Sequence, residues 1–419
     1  MHILFFTDNF WPESNAPAIR THAHCKEWVR LGHRVTVLTC APNYPRGQVF
    51  QGYKNRIWQV EHVDGIRVIR VWSFMAPNTG TWLRVLDFFS YMVMACLASF
   101  FVRRVDVIVG TSPQPLAAVA AWFAAFTKGR PWVLELRDLW VESIRELEAM
   151  SWGMRLLRTM FRWLYLSATE IVVVTTAFRH RLKQEGVPTA KIKVVTNGVD
   201  LEKFAPAVSS AGQIRADCGT ERLTVGYIGT MGLAHGLNVV LDAAEALQNH
   251  ADIRFLLVGE GAEKSALEDR AKGLRNVEFA PSVSHEKISD YWSRLDVCLV
   301  PLRKKEIFKT VIPSKLFEAM AMGVPVVLGV DGEARHLVED WKFGKPIAPE
   351  NSTALIHAIK ELCQSPKQRQ EFSENGLKAA QHFDRKVLAN EMLGVLCRAH
   401  SRMGRDPATR HSGLWFRRR

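Results

Sequence analysis

Cysteine is scarce in this sequence, and what there is does not pair. Seven residues, at 25, 40, 96, 218, 298, 363 and 397, make an odd, scattered set with no C-x-x-C pair and no zinc spacing. That excludes a disulfide scaffold and points to a reduced, cytoplasmic compartment. A secretory signal is absent as well: Met1 leads directly into a strand-like run, His2–Thr7, with no basic n-region or cleavage site. Composition, at 47% hydrophobic and 23% charged, excludes disorder, collagen and coiled coil. The formal charge of +13 asks for an anionic partner. No recognition helix, zinc finger or aromatic RNA-binding signature accompanies it, so nucleic acid is not the expected one.

What is present begins with length. At about 150 residues per domain, 419 residues hold two large domains. The charge is uneven: net +9 over residues 1–205, −2 over 206–395 and +6 over 396–419. Basic and apolar features coincide in the first part, which favours an anionic membrane surface as the partner. Trp82 to Val102 is nearly continuous apolar sequence closed by Arg103 and Arg104, close to the roughly 20 residues of a bilayer span. Arg84 and Asp87 interrupt it and a parallel-type strand follows, so a buried or membrane-lying helix is expected ahead of a true span. Ser151–Leu166 spaces Arg155, Arg158 and Arg162 helically among Trp152, Phe161 and Trp163. This reads equally as a helix lying at lipid headgroups or a core-facing helix with a solvated basic face. The end, Leu414–Arg419, reads as a lipid contact or a disordered basic tail.

Short apolar runs alternate with helix-length segments. Strands are expected at Ile3–Thr7, Arg34–Thr39, Ile66–Val71, Val105–Val109, Trp132–Leu136, Ile171–Val174 and Lys193–Thr196, with a helix from Ile19 to Leu31. After a polar linker, Leu223–Ile228, Ile253–Val258, Val277–Phe279, Val297–Val300 and Pro325–Leu328 repeat the pattern. Strands without polar alternation, separated by helices, make a parallel sheet covered on both faces. The expected fold is α/β, two Rossmann-like doubly wound domains facing across a cleft. The expected divisions are an acceptor domain 1–203, a nucleotide-sugar domain 204–385, a helix 386–400 returning to the first domain and a basic tail 401–419.

Three loops at strand ends carry candidate chemistry. Gly229-Thr-Met-Gly232 and Gly259-Glu-Gly261 put glycine where a backbone can approach a phosphate, or simply where a turn needs it. In the third, Pro313 and Ser314 suit a helix start, Lys315 falls in its first turn, Glu318 follows on the same face and Gly323 ends it. Lysine is unfavourable at a helix N-terminus, which suggests that an anion belongs there; a surface Lys/Glu pair is the plain structural alternative.

The run Pro313-Ser-Lys-Leu-Phe-Glu-Ala-Met-Ala-Met-Gly-Val-Pro-Val-Val327 resembles the nucleotide-sugar signature of glycosyltransferase family 4, which has the GT-B fold. Val195-Thr-Asn-Gly-Val-Asp200 with Phe204, Gly229-Thr230 and Val258-Gly-Glu-Gly261 are similar to further motifs of that family in the same order. Asp8 to Arg20, His24 to Trp28 and Glu135 to Ser143 resemble a narrower subgroup, the WbuB-like N-acetyl-L-fucosamine transferases of bacterial surface polysaccharide synthesis.

The resemblance implies a hexosyl-type, retaining, metal-independent transferase with no cofactor. It would move a sugar from a nucleotide diphosphate donor, UDP-linked by expectation, to a polyprenyl-diphosphate-linked saccharide at the inner face of the plasma membrane. Donor contacts are expected from Gly229, Thr230, His235, Gly259, Gly261, Val283, Lys309, Thr310, Ser314, Lys315 and Glu318, with Glu318 on the ribose. Asn15, Ala16, Arg20, Arg137 and Glu142 are expected on the acceptor side, and Asp138 as a hydroxyl binder or base, with capping, turn and surface roles as the alternatives. Departures are specific. The family's first glutamate falls at Thr310, its diphosphate-holding Arg and Lys at Thr230 and His235, its loop glycines at Asn15 and Ala16, and its first-domain histidine at Asp138. Positive charge must then come from elsewhere, and Lys315, with Lys309, is the candidate. A sugar-nucleotide 2-epimerase of the same fold and a binding protein without catalysis are the competing readings. The histidines, His22 and His24 among them, lack carboxylates at metal-ligand spacing.

Overall fold

A computed structural model describes residues 1–75, 81–112, 114–138, 152–206, 222–281 and 287–405 of the chain. Two compact units divide it: Met1–Thr196 together with Lys386–Arg419, and Asn197–Arg385.

The first unit is built on an eight-stranded sheet made of β1 (His2–Phe6), β2 (Arg34–Cys40), β3 (Trp58–Val63), β4 (Ile66–Val71), β5 (Val107–Thr111), β6 (Trp132–Leu136), β7 (Glu170–Val173) and β8 (Ile192–Val194). Their order is β3-β4-β2-β1-β5-β6-β7-β8. All pair in parallel except β3, which runs antiparallel to β4 at the edge. The inner strands are apolar because both faces are covered, and β1, β5 and β6 are buried throughout. β3 alternates exposed and half-buried residues, so its sequence is too polar to be read as a core strand. The turn behind it, Asp64-Gly65, has both residues at positive φ (49° and 78°), the conformation that Asp-Gly hairpins adopt.

Five described helices lie between the strands of this unit: α1 (Ala16–Arg30), α2 (Thr81–Ser99), α3 (Pro115–Lys128), α4 (Trp152–Ser167) and α5 (Thr176–Gln184). α3 is rich in alanine, and Ala118 and Ala121 let it lie against Gly110, where an added Cβ would stand 2.5 Å from the Ala121 Cβ. α2 buries Tyr91, Ala95 and Ala98, and the Tyr91 hydroxyl sits 2.9 Å from the Thr7 carbonyl and 2.8 Å from that of Leu38. No described helix is long and apolar enough to cross a membrane. In α4, Arg158 and Arg162 reach the Glu185 carboxylate and carbonyl, while Phe161 and Leu164 are buried.

The second unit has a six-stranded parallel sheet of β9 (Leu223–Ile228), β10 (Ile253–Val258), β11 (Val277–Ala280), β12 (Val297–Pro301), β13 (Val326–Gly329) and β14 (Gly344–Pro346). The order is β11-β10-β9-β12-β13-β14. Seven described helices accompany it: α6 (Asn238–Ala246), α7 (Lys264–Arg270), α8 (Ile288–Trp292), α9 (Lys315–Met322), α10 (Glu333–Trp341), α11 (Ser352–Gln364) and α12 (Pro366–His382). Apolar clusters line both faces of the sheet. β14, three residues long, is too short to be legible as a strand.

The second unit begins at Asn197, earlier than the 204 expected from composition. The reason is backbone pairing: the Val199 amide donates to the Phe383 carbonyl (2.9 Å) and the Arg385 amide to the Val199 carbonyl (2.9 Å). α13 (Arg385–Arg405) belongs to the first unit from Lys386 onward. It is fastened there by the Trp28 indole, whose N–H donates to the Ala389 carbonyl at 2.8 Å. Met392 and Leu396 join the core beneath β1 and β2, and burying side chains of this size contributes roughly 1.5–3 kcal/mol each.

One buried ion pair ties the first unit together. Arg20 of α1 donates to Glu135 of β6 (2.9 Å) and to the carbonyls of Thr196 and Val195. Burial pushes the Glu135 carboxyl up, but Arg20 and Arg137 outweigh it and hold it down at about 2. Arg20→Met is therefore expected to destabilise the protein by about 3–5 kcal/mol, because it leaves the carboxylate buried without its partner. A denaturant midpoint equal to that of the wild type would contradict this.

Candidate functional site

The groups proposed for the donor gather where β9 and β10 end. Both strands run into glycines held at positive φ, Gly229 at 143° and Gly259 at 151°, a conformation that side chains disfavour. The two loops clasp each other. A Cβ on Gly259 would lie 1.9 Å from the Gly229 carbonyl oxygen, and one on Gly261 would lie 2.2 Å from that of Met231. The Met231 amide donates to the Glu260 carbonyl (2.8 Å) and the Glu263 amide to that of Met231 (2.9 Å). Glycine here is required by backbone contact within the unit.

α9 aims its first residue at this clasp. Ser314 is its N-cap, exposed and making no capping bond with its side chain, and Gly323 closes it in the left-handed conformation (φ 64°). The Lys315 ammonium lies 3.6 Å from the centroid of the Tyr227 ring and is buried, with no hydrogen-bond partner among the described residues. A Cβ at Gly229 would stand 2.8 Å from it. Burial lowers the Lys315 pKa to about 8, with Cys298 and Glu318 pulling the other way. Tyr227 is fixed by its hydroxyl, which donates to the Thr230 carbonyl at 2.5 Å.

Glu318, one turn on, accepts from the Trp292 indole N–H at 3.2 Å. Burial raises its pKa against the pull of Arg385, the Trp292 bond and Lys315. Tyr227 and Trp292 were not among the residues expected from sequence, because an aromatic on an apolar strand or short helix reads as core. The only sequence signal was a hydroxyl and an indole N–H that burial obliges to find partners.

Other expected donor contacts behave differently. His235, in a turn after β9, has its Nδ1 3.3 Å from the Gly232 carbonyl oxygen. Burial, with Lys315 adding to it, lowers its pKa to about 4, so it is neutral at pH 7 and cannot replace a missing cation. Lys309 is exposed and ion-paired to Glu306 at 2.6 Å, and the Thr310 hydroxyl donates to the Ile307 carbonyl (2.8 Å). Val283 and Glu142 lie outside the described residues.

In the first unit, Asn15 is the N-cap of α1: its Oδ1 accepts from the Ala18 amide (2.9 Å) and its Nδ2 donates to Asn9 Oδ1 (2.6 Å). Ala16 opens the helix. Arg137 is buried, reaches the Pro17 carbonyl (3.1 Å) and leaves its Nε without a partner; burial lowers its pKa to about 10, against the pull of Glu135. Asp138 stands exposed beyond β6 with its amide 3.4 Å from Ser112 Oγ. Arg20 is the correction: expected to meet ligand, it is buried and spends its donors on Glu135 and two carbonyls. Glu13, not expected, accepts from the Asn43 and Tyr44 amides (2.8 and 2.9 Å) and staples two loops. His24 is a core residue with Nδ1 3.3 Å from Met392 Sδ, and His22 pairs with Asp64 (2.9 Å). Among the described residues no group of three His, Cys, Asp or Glu is placed to hold a metal ion.

Two sheets, parallel but for the edge strand β3, each with its candidate groups in loops beyond the strand ends, are the architecture of the GT-B fold. Family models agree: residues 222–365 match the model described as glycosyl transferases group 1 and residues 15–198 the glycosyl transferase 4-like domain. The chain belongs to the glycosyltransferase family that these two models describe. It is 26% identical over 384 residues to WcaI of Escherichia coli (strain K12), a protein named for glycosyl transfer in colanic acid biosynthesis, covering 88% of this chain and 93% of that one. Among solved structures, sucrose-phosphate synthase from Thermosynechococcus elongatus superposes with a TM-score of 0.74 at 18% identity, covering 96% of this chain and all of that one (100%). HepE of Anabaena, in complex with UDP and glucose, gives 0.67 at 19% identity, covering 94% and 99%.

A charged Lys315 is disfavoured in the ligand-free fold. Its native pKa lies below the ordinary lysine value, so the penalty is present below about pH 8 and fades as pH rises toward about 10.4. Lys315→Met is accordingly expected to raise the melting temperature at neutral pH, by up to about 4 °C, and to lose that advantage in alkali. A lower melting temperature for the variant at pH 7 would show that the ammonium stabilises the fold.

Proposed function

We propose that this glycosyltransferase moves a sugar, N-acetyl-L-fucosamine in the WbuB-like reading, from a UDP-linked donor to a polyprenyl-diphosphate-linked saccharide in surface polysaccharide synthesis. Relatives support the setting. WcaI and AmsK of Erwinia amylovora are named for the biosynthesis of colanic acid and amylovoran, and structures of HepE hold UDP and UDP-glucose. The transfer is proposed to retain anomeric configuration and to need no metal. The enzyme would work in the cytoplasm, peripherally associated with an anionic inner membrane face that carries its acceptor.

One observation carries the donor assignment: the Lys315 ammonium is buried at the Gly229 turn with an aromatic ring on one side and no oxygen to bond. The chemical demand of the reaction is the charge that grows on a departing nucleoside diphosphate. Cations held in place before it forms stabilise that charge without reorganisation. With Thr230 and neutral His235 where the family has its Arg and Lys, Lys315 is the cation that meets the leaving group, and the glycine clasp keeps the backbone low enough for the diphosphate to approach. Glu318, oriented by Trp292, would accept the ribose hydroxyls. On the first unit Asp138 is the exposed carboxylate free to bind an acceptor hydroxyl or take its proton. Arg20 is excluded from that role by its buried pairing.

Lys315→Ala is expected to lower kcat/KM for the donor about 10²–10³-fold, measured as nucleotide released from UDP-sugars in the presence of a membrane extract containing acceptor. Because the free enzyme's Lys315 carries its proton below about pH 8, donor affinity should weaken as pH rises through that value, and Lys315→Arg should carry tight binding to higher pH. Unchanged turnover and donor affinity in Lys315→Ala would sink the assignment.

A further inference from the structure

A helix that neither spans a membrane nor hides from water needs an account. α2 turns Tyr91, Ala95 and Ala98 into the core, while Leu83, Leu86, Phe89, Val93, Leu97 and Phe101 are exposed along the opposite side. Helices at a protein surface ordinarily carry their polar residues there, and this one has no charged residue between Asp87 and Arg103. The apolar surface continues onto neighbouring elements through ring contacts. Trp58 of β3 meets Phe101 edge-on (5.8 Å), Phe100 meets Phe123 of α3 (5.9 Å), and Trp122 touches both Phe126 (5.7 Å) and Trp163 of α4 (4.5 Å). Phe101 and Phe126 are 72% and 74% exposed, and with the adjoining rings they belong to a run of exposed apolar side chains of the kind that marks an interaction surface.

Cations accompany these rings. Arg56 precedes Ile57 and Trp58, Arg103 and Arg104 follow Phe101, and Arg130 follows α3; all four are exposed, and none is in an ion pair among the described residues. Arg158 of α4 differs, being committed to Glu185. Aromatic rings beside unpaired arginines are the composition of a surface that enters the interfacial layer of an anionic bilayer, with rings among the acyl chains and guanidinium groups at phosphates. A second copy of the chain suits the face poorly, because it would bring the same uncompensated cations to one interface.

We infer that the exposed face of α2, with Phe101, Phe126 and their flanking arginines, is the surface by which this protein docks on an anionic lipid bilayer. The inference rests on the membrane reading given under the proposed function and adds the face that makes the contact. The sequence alone pointed to the basic helix at 151–166 as much as to this segment; the pairing of Arg158 and Arg162 to Glu185 shifts the weight to α2.

The test is sedimentation of the full-length protein with vesicles of phosphatidylglycerol and phosphatidylethanolamine, and with phosphatidylcholine alone. Wild-type protein is expected to bind the anionic vesicles. The exposed triple variant Leu97→Gln/Phe101→Ser/Phe126→Ser should bind on the order of tenfold less or weaker, with UDP binding in solution unchanged as the control for folding. Arg103→Gln/Arg104→Gln should bind less at low salt and lose much of the salt dependence. If the wild type ignores both kinds of vesicle, this inference and the membrane reading fall together, while donor binding stands. Should the wild type bind and the triple variant bind equally, the face is wrongly assigned. A wild type that dimerises without lipid, and is returned to monomer by the triple variant, would also overturn the inference in favour of self-association.

Discussion

An ammonium buried over an aromatic ring with no oxygen to bond is the constraint around which the second unit is arranged. The Lys315 ammonium lies where a side chain on Gly229 would begin, and Gly259 lets its loop close on the Gly229 carbonyl. The Tyr227 ring compensates in part: a cation over an aromatic face recovers roughly 0.5–2 kcal/mol. Removing an ammonium from water costs several kcal/mol even after relaxation, more than the ring recovers. The lowered pKa of Lys315 and the raised pKa of Glu318 are two consequences of that same dry surrounding. A buried cation that its own protein surroundings do not compensate is a candidate for a ligand-binding group.

Two buried arginines of the first unit are treated in the opposite way. Arg20 and Glu135 satisfy each other, and the remaining Arg20 donors go to carbonyls beyond β8, so the pair joins α1, β6 and the exit from the sheet. Arg70, also buried, is paired to Glu61 and the Cys40 carbonyl. These arginines direct their donors at neighbouring strands and loops and so specify packing. The contrast separates architecture from chemistry: a charge with all its partners holds elements together, whereas one left without them has been kept for something else.

The parallel sheets were legible because strands covered on both faces are apolar almost end to end, as β1 and β12 are. The edge strand β3 was not, since exposure on one side lets polar residues in. α9 could be read from Pro313, Ser314 and Gly323, and with it the placing of Lys315 and Glu318 on one face. The ring beneath Lys315 could not, because nothing in a strand's sequence says which helix will end above it. Arg20 was misread for a related reason. A helical pattern places it on α1, but its partner Glu135 lies on a distant strand, and a buried arginine looks like a surface one until that partner is known.

Charge arithmetic sharpens once paired and unpaired groups are separated. The excess over residues 1–205 suggested a diffuse positive field. Ion pairs such as Arg20–Glu135 and Arg70–Glu61 already cancel within that excess, while Arg137 is buried against the Pro17 carbonyl and Arg158 and Arg181 share Glu185. Arg56, Arg103, Arg104 and Arg130 remain exposed and without ion pairs among the described residues, beside the rings of Trp58, Phe101 and Phe126. A uniform field would only raise encounter rates with anions in general. Unpaired cations beside exposed rings give the attraction a direction, because the same small area gains from phosphate and from hydrocarbon. α2 is apolar on two sides: one packs on the core of the sheet, and the other is the side for which the inferred lipid contact would account.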